Sequence, residues 1–512
     1  MKKNFSEIRD SLPTPIFDEH PEFIELYWKA WELAWDHVKD IPGMPQTPYM
    51  DEGFCDTDIW IWDSCFMSLY CKYASELFPG YQTLENFYTV LHGDGELPEI
   101  IAENVPVDGP IKAGEKARIK IHIADNPPLF AWAEYENAKI SGNLEHIKDL
   151  LLKKRYLQKH YDFLENITAG TRIDGVRTMV YWEKFDCGYR WEGGKSGMDN
   201  TPRGRQGESA HKNRPATRDL LWIDAICQQA LAAKMISSLF RILNDKEQET
   251  VWLQKFSGKQ ALIREKYWDE NAGFFFDIDS STGKLCKVQS IGSYWAMTAD
   301  AATAEQAQAM TAHLADPRKF GGEFPLVSLS RDDADFNGEN GMYWRGSVWL
   351  PTAYAALKGC VNYGFFELAR ENTVKLLNHM SRTFKEYSPH TIWECYAPNS
   401  PEPSRSCDEN NRIVRPDFCG WSALGPIAAL IEFAIGIYDI DAFANTVKWH
   451  LPEKFSGKLG VKNLRFGKIT ADLLADKNRI MINSSGSFTL DINGRILNIV
   501  PGENCFELDP QF

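Results

Sequence analysis

Asp58-Ile59-Trp60-Ile61-Trp62-Asp63-Ser64-Cys65-Phe66-Met67 opens as a polar, aromatic loop and runs into an apolar segment that continues to about Ala74. It reads as a buried helix entered through a mouth that carries Trp62 and Asp63. An Asp at such a place either caps the helix or faces a ligand that offers hydroxyls. The same pairing of apolar helix and acidic, aromatic loop recurs. Upstream, residues 20–40 set Phe23, Ile24, Leu26, Tyr27, Ala30, Trp31, Leu33, Ala34 and Val38 at three- and four-residue spacing, until Pro42, Gly43, Pro45 and Pro48 stop the pattern. Downstream, 92–98 and 125–128 are such loops. Helical runs are expected near 129–140, 145–165, 217–243, 247–266, 292–298, 303–314, 348–359, 363–382 and 420–438, about ten to twelve helices in all.

Strand alternation is scarce before residue 455. After it, Leu464-Arg465-Phe466, residues 479–483, 487–492 and 496–500 alternate at period two, with turns at Ser485-Gly486 and Asn493-Gly494. The expected class is mainly α, with helices over 1–455 and a small C-terminal antiparallel β appendage over 456–512. For 512 residues this leaves two architectures open, several small helical domains or one large helical barrel.

The net charge of -15, without any Lys/Arg-rich block, argues against nucleic acid or an anionic membrane surface as partner. The 11 Cys are scattered, with no Cys-x-x-Cys pair and no His cluster at ligand spacing, so neither a metal nor a disulfide framework is expected, and no cofactor. No apolar run approaches the roughly 18 residues of a membrane span. The chain reads as cytoplasmic, or periplasmic if a signal peptide has been removed. With 17 Trp, 19 Tyr and 29 Phe there is more aromatic surface than a core requires, which fits a ring-stacking pocket for a neutral or cationic ligand.

Candidate chemistry concentrates in three loops. Lys195-Ser196-Gly197-Met198-Asp199-Asn200-Thr201-Pro202-Arg203, just after Tyr189-Arg190-Trp191, holds one carboxylate among glycines, aromatics and an arginine. Met342-Tyr343-Trp344-Arg345-Gly346-Ser347-Val348-Trp349 offers stacking faces, a guanidinium and backbone amides for hydroxyl recognition. Thr391-Ile392-Trp393-Glu394-Cys395-Tyr396 sets a second carboxylate between rings, in a stretch with no other charge. Glycoside hydrolysis needs two such groups, one to protonate the leaving oxygen and one to activate water or attack the sugar. Each segment alone also has a structural reading, as a capped turn or a salt-bridged helix start.

Taken in order, Trp60-Ile61-Trp62-Asp63-Ser64, Asn126-Pro127-Pro128, Ser196-Gly197-Met198-Asp199-Asn200-Thr201-Pro202-Arg203, Tyr343-Trp344-Arg345-Gly346, Trp393-Glu394-Cys395-Tyr396 and Gly420-Trp421-Ser422-Ala423-Leu424 resemble glycoside hydrolase family 63 and the related mannosylglycerate hydrolases, over about 55–440. The resemblance implies an (α/α)6 barrel that cleaves α-linked sugars with inversion, with Asp199 as general acid and Glu394 as general base. Trp62, Asp63, Trp344, Arg345, Trp349 and Trp393 would then hold the sugar, with Asn126, Trp191, Arg203, Gly346 and Trp421 as further binding candidates. The family commonly has Gln at the Asn126 position and a Trp-Asp-Trp-Asp run where this chain has Trp60-Ile61-Trp62-Asp63, so the substrate stays open. The competing readings are a phosphorylase or epimerase on the same barrel, or a barrel that binds carbohydrate without catalysis. Epimerases typically use a His pair, and none of the 11 His falls in these motifs.

Overall fold

The computed structural model describes residues 2–40, 44–53, 59–91, 95–102, 118–121, 127–166, 182–191, 196–203, 220–407 and 410–508. Twelve of its helices, from 4 to 21 residues long, fall into two kinds. Ile61–Cys71, Phe130–Ser141, Ile223–Ile242, Trp295–Thr298, Leu350–Asn362 and Gly425–Ile435 are buried over most or all of their residues. Pro21–Asp36, Gly80–Thr89, Tyr156–Asn166, Lys246–Lys266, Ala304–Ala315 and Phe366–Glu386 leave a larger share of their surface to solvent. The two kinds alternate along the chain. A helix apolar on all sides needs neighbours on all sides, and the sequence Gly-Pro-Ile-Ala-Ala-Leu-Ile-Glu-Phe-Ala-Ile of 425–435 is the clearest case.

Each inner helix packs on the next, and Gly425–Ile435 packs back on Ile61–Cys71, so the inner set closes into a ring. One carboxylate helps to lock that closure. Glu432, on the last inner helix, accepts from the hydroxyls of Tyr73 and Tyr354 at 2.9 Å each and lies 2.9 Å from Lys72 Nζ and 3.3 Å from Lys358 Nζ. Three sectors of the ring meet on a single buried charge, which is tolerable because it is fully paired.

The helical runs fall close to their expected positions, with three differences. The run expected over 145–165 is broken at Arg155, which is left-handed at φ 57°. Gly80–Thr89 was not anticipated, because its stretch Gly-Tyr-Gln-Thr-Leu-Glu-Asn-Phe-Tyr-Thr carries few aliphatic side chains. The run expected from 217 is a strand at Leu220–Leu221 before the helix starts at Ile223. That strand belongs to a five-stranded sheet with Trp182–Phe185, Gly188–Trp191, Asp277–Asp279 and Leu285–Cys286, which backs the Asp199 loop.

The strands at the C-terminal end differ from the antiparallel appendage in three ways. They begin at Ile437, ahead of residue 456, because Gly436 (φ 96°) ends the helix in the left-handed conformation and a Cβ there would lie 2.0 Å from the His450 carbonyl. They form two sheets, and the first recruits Thr14–Phe17 from the N-terminal end beside Leu459–Phe466. One pair is parallel, Thr446–Trp449 with Phe488–Ile492. The chain winds the other sheet before it returns, which supplies the long crossover that a parallel pair needs. The Asn493-Gly494 turn, both residues at positive φ, closes the hairpin Phe488–Ile492 to Arg495–Ile499 as its sequence implies.

Candidate active site

Loops from around the inner ring meet over a narrow pit. Among the described residues its wall includes Trp62, Asp63, Asp199, Trp344, Trp349 and Trp421, six of the residues singled out in the sequence, together with Trp60, Glu99, Gly197 and Tyr343. Trp344 and Trp349 are stacked at 4.2 Å with planes 4° apart. Trp421 lies 5.7 Å from Trp349 and 6.3 Å from Trp62, so the rings form one continuous wall. Gly197 passes against the Trp62 face. A Cβ there would sit 3.0 Å from that ring, and its φ of 79° favours glycine besides.

Asn200 couples two of the loops. Its side-chain oxygen accepts from Trp344 N at 2.8 Å and its amide nitrogen donates to Met342 O at 2.9 Å. Its own carbonyl accepts from Arg345 Nε at 3.3 Å. Between those contacts Met342 and Tyr343 are both left-handed, at φ 36° and 67°. Bulky residues hold such angles only where the surroundings impose them. In this pose the Tyr343 hydroxyl donates to Glu394 Oε1 at 2.8 Å.

Glu394 is held from several sides. Its N–H donates to Arg415 O at 3.0 Å, and Arg415 N donates back to Oε2 at 3.2 Å. Its carbonyl accepts from Trp421 Nε1 at 2.9 Å and from Ser422 Oγ at 3.1 Å. Burial raises the Glu394 carboxyl above the ordinary range, while the Arg415 charge and the hydrogen bonds from Tyr343 and Arg415 hold it back. Asp63 is pushed up further, first by burial, with the charges of Glu394 and Asp199 adding and Arg415 opposing. Asp63, Asp199 and Glu394 therefore share one electrostatic neighbourhood, and Asp199, half-buried, is the most open of the three.

Other candidates lie elsewhere. Arg203, expected at the ligand, is buried and paired bidentately with Asp224 (2.7 and 2.9 Å) and Asp277 (2.8 and 2.5 Å), with its guanidinium 4.0 Å from the centre of the Trp222 ring. It fastens the Asp199 loop to the helix Ile223–Ile242 and the strand Asp277–Asp279. Trp191, also expected at the ligand, packs edge-on against Trp182 and Trp222 and supports that anchor from behind. Gly346, at φ 146°, is a turn residue, since a Cβ would meet the Phe336 ring at 2.9 Å, and its N–H donates to Ser328 Oγ. Arg345 is half-buried beside Asp335, and Trp393 packs edge-on to Tyr387. Asn126 lies outside the described residues.

Tyr343 and Asn200 were passed over in the sequence although both stand in the quoted motifs, as was Glu99, one residue beyond the 92–98 loop. For Tyr343 and Asn200 the only signal was adjacency to a residue already chosen.

Residues 57–408 match the model of the mannosylglycerate hydrolase MGH1-like glycoside hydrolase domain, and the chain belongs to that family. It is thus a glycoside hydrolase by descent. An uncharacterized protein of Borreliella burgdorferi is 24% identical over 478 residues, 91% of this chain and 90% of its own. The mannosyl-oligosaccharide glucosidase of Saccharomyces cerevisiae is 26% identical over 318 residues, 56% of this chain but only 36% of that enzyme. Among solved structures, the GH63 mannosylglycerate hydrolase from Thermus thermophilus in complex with glucose superposes with a TM-score of 0.60 at 18% identity, over 79% of this chain and 99% of that one. At that identity the likeness is one of fold.

The anchor makes a measurable claim. Arg203→Met would leave Asp224 and Asp277 buried without their counter-charge, and a loss of about 3–5 kcal/mol in a urea titration is expected. A variant as stable as the parent would return Arg203 to a ligand-binding role.

Proposed function

We propose that the chain is an inverting α-glycosidase on an (α/α)6 barrel, in which Asp199 is the general acid and Glu394 the general base, acting on an α-glucoside or α-mannoside. The reading is carried by one observation: Asp199, half-buried, lines an aromatic-walled pit, and the buried Glu394, which is not among the pit's lining residues, accepts from the hydroxyl of Tyr343 on the pit wall, in the loop that Asn200 holds. The closed ring of six buried helices with a one-sided partner for each supports the barrel. The named activities of the glucosidase and the mannosylglycerate hydrolase support the sugar class. We take the helical part as far as Ile435 as catalytic, since the described pit residues lie between 60 and 421, and the two sheets, which span the expected 455/456 boundary, as its packing partner.

The roles are assigned from the resemblance of the two carboxylate-bearing segments to the family's motifs. Asp199, protonated, delivers its proton to the glycosidic oxygen as the bond to the anomeric carbon breaks. Glu394, ionised, takes a proton from a water that attacks the opposite face of the sugar. Inverting enzymes leave room for that water, with carboxyl groups about 6.5–9.5 Å apart. Stacked Trp344 and Trp349 give an apolar face for the ring, and Asp63 accepts from sugar hydroxyls.

Asp199→Asn is expected to cost about 10²- to 10⁴-fold in kcat on α-linked disaccharides, and much less on aryl glycosides whose leaving groups need no proton. Glu394→Gln should lose turnover on both. Near-native hydrolysis of a disaccharide by the Asp199 variant would exclude it as the acid.

Tyr343→Phe tests the coupling between the loops. The Tyr343 hydrogen bond favours ionised Glu394, so its removal raises the Glu394 pKa further, and the acid limb of kcat/KM moves to higher pH. An unmoved limb would mean that Glu394 is not the group which must be ionised.

A further inference from the structure

Trp421 meets the pit and Glu394 at once. Its ring is part of the aromatic wall, 6.3 Å from Trp62 and 5.7 Å from Trp349, while its Nε1 donates to the Glu394 carbonyl at 2.9 Å. One side chain thus touches both the surface on which a sugar would stack and the backbone that carries the second carboxylate.

The rest of the segment 415–422 closes on the same short stretch. Glu394 N donates to Arg415 O at 3.0 Å and Phe418 N donates to Ile392 O at 3.0 Å, so the two stretches are bonded backbone to backbone. Ser422 Oγ lies 2.7 Å from Trp393 O and 3.1 Å from Glu394 O, spanning the peptide that leads into the base. Trp421 is fixed in its turn. Phe418 packs 4.8 Å from it with planes tilted by 44°, and the intervening Gly420 passes so close that a Cβ there would lie 2.7 Å from the Phe418 ring. Phe418, Trp421 and Ser422 are all buried. Away from water, hydrogen bonds of this kind are stronger and hold geometry better.

A shift of the 393–394 backbone would have a defined consequence. The Glu394 carboxylate accepts from the Tyr343 hydroxyl at Oε1 (2.8 Å) and from Arg415 N at Oε2 (3.2 Å). Hydrogen bonds weaken steeply with poor alignment, so a displaced carboxylate does not keep both. Burial pushes the Glu394 carboxyl up, and these two bonds are among the forces that oppose it.

We propose that Trp421 is a positioning residue for the base: its indole N–H, together with the Ser422 hydroxyl, sets the Glu394 backbone relative to the ring on which the sugar stacks, so that one locked side chain fixes the reach from base to sugar. The role of Glu394 as base rests on the proposed function; the hydrogen bonds do not.

Trp421→Phe keeps an aromatic face and removes the N–H. On an α-linked disaccharide its kcat should fall about tenfold, the weight of one buried hydrogen bond, while KM changes by less than about threefold. The acid limb of kcat/KM should move to higher pH, because a displaced carboxylate loses donors that favour its ionised form. Ser422→Ala, which leaves the pit wall intact, should show the same two changes, and Ser422→Thr, which restores a hydroxyl, should recover most of kcat. A rise in KM with kcat and the limb unmoved would reduce Trp421 to a stacking face and overturn the proposal. A Ser422→Ala enzyme with parental kinetics would also overturn it, and the two Ser422 variants decide by themselves should Trp421→Phe not fold. Glu394→Gln in the same assay separates the two claims. If it turns over like the parent, the proposed function fails and the positioning of a base fails with it. An inactive Glu394→Gln beside a fully active Trp421→Phe removes only the role of Trp421.

Discussion

The side-chain amide of Asn200 holds the pit together. Its oxygen and nitrogen bracket Met342 and Tyr343, two residues in a backbone conformation they would not adopt unsupported. That twist aims Tyr343 at Glu394 and sets Trp344 flat on Trp349. Asp199 is covalently adjacent, so the accessible carboxylate, the stacking wall and the buried carboxylate are positioned by one buried polar group. Behind it, Arg203 ties the same loop to Asp224 and Asp277. The loop is thus gripped at two points, on either side of which its path is fixed.

Burial then separates the carboxyl groups by environment. Asp63 and Glu394 are nearly dry and shifted upward, with Arg415 offsetting part of the cost, while Asp199 keeps contact with solvent. Burial alone would favour the neutral form of Glu394, and the Arg415 charge with the hydrogen bonds from Tyr343 and Arg415 is what favours its ionised form. The closed helical ring supplies those surroundings, because its inner helices are apolar on most sides and their loops carry the polar groups. The sheets after Ile435 contribute none of the described pit residues.

Much of this was legible in the sequence. Apolar periodicity located most of the helices, the recurrence of acid and aromatic residues in loops located Trp62, Asp63, Asp199, Trp344 and Trp349, and the family resemblance added Trp421; they meet because loops of a ring converge. Arg203 and Trp191 were misjudged for a physical reason. A guanidinium aimed at a ligand and one clamped by two aspartates look alike in sequence when those aspartates lie 21 and 74 residues away. Gly346 was read as a recognition amide, whereas its φ and the nearby Phe336 ring decide its identity. The strands at Ile437–Asp441 and Thr446–Trp449 were absorbed into a helical run or passed over, since short strands carry too few alternations to stand out.

The most direct test of the account is the anomer released from α-linked disaccharides, read by proton NMR before mutarotation. Water delivered by Glu394 to the face opposite the departing oxygen predicts the β-anomer as first product. The α-anomer first would contradict the assignment of Glu394 as a base and point to a covalent intermediate instead.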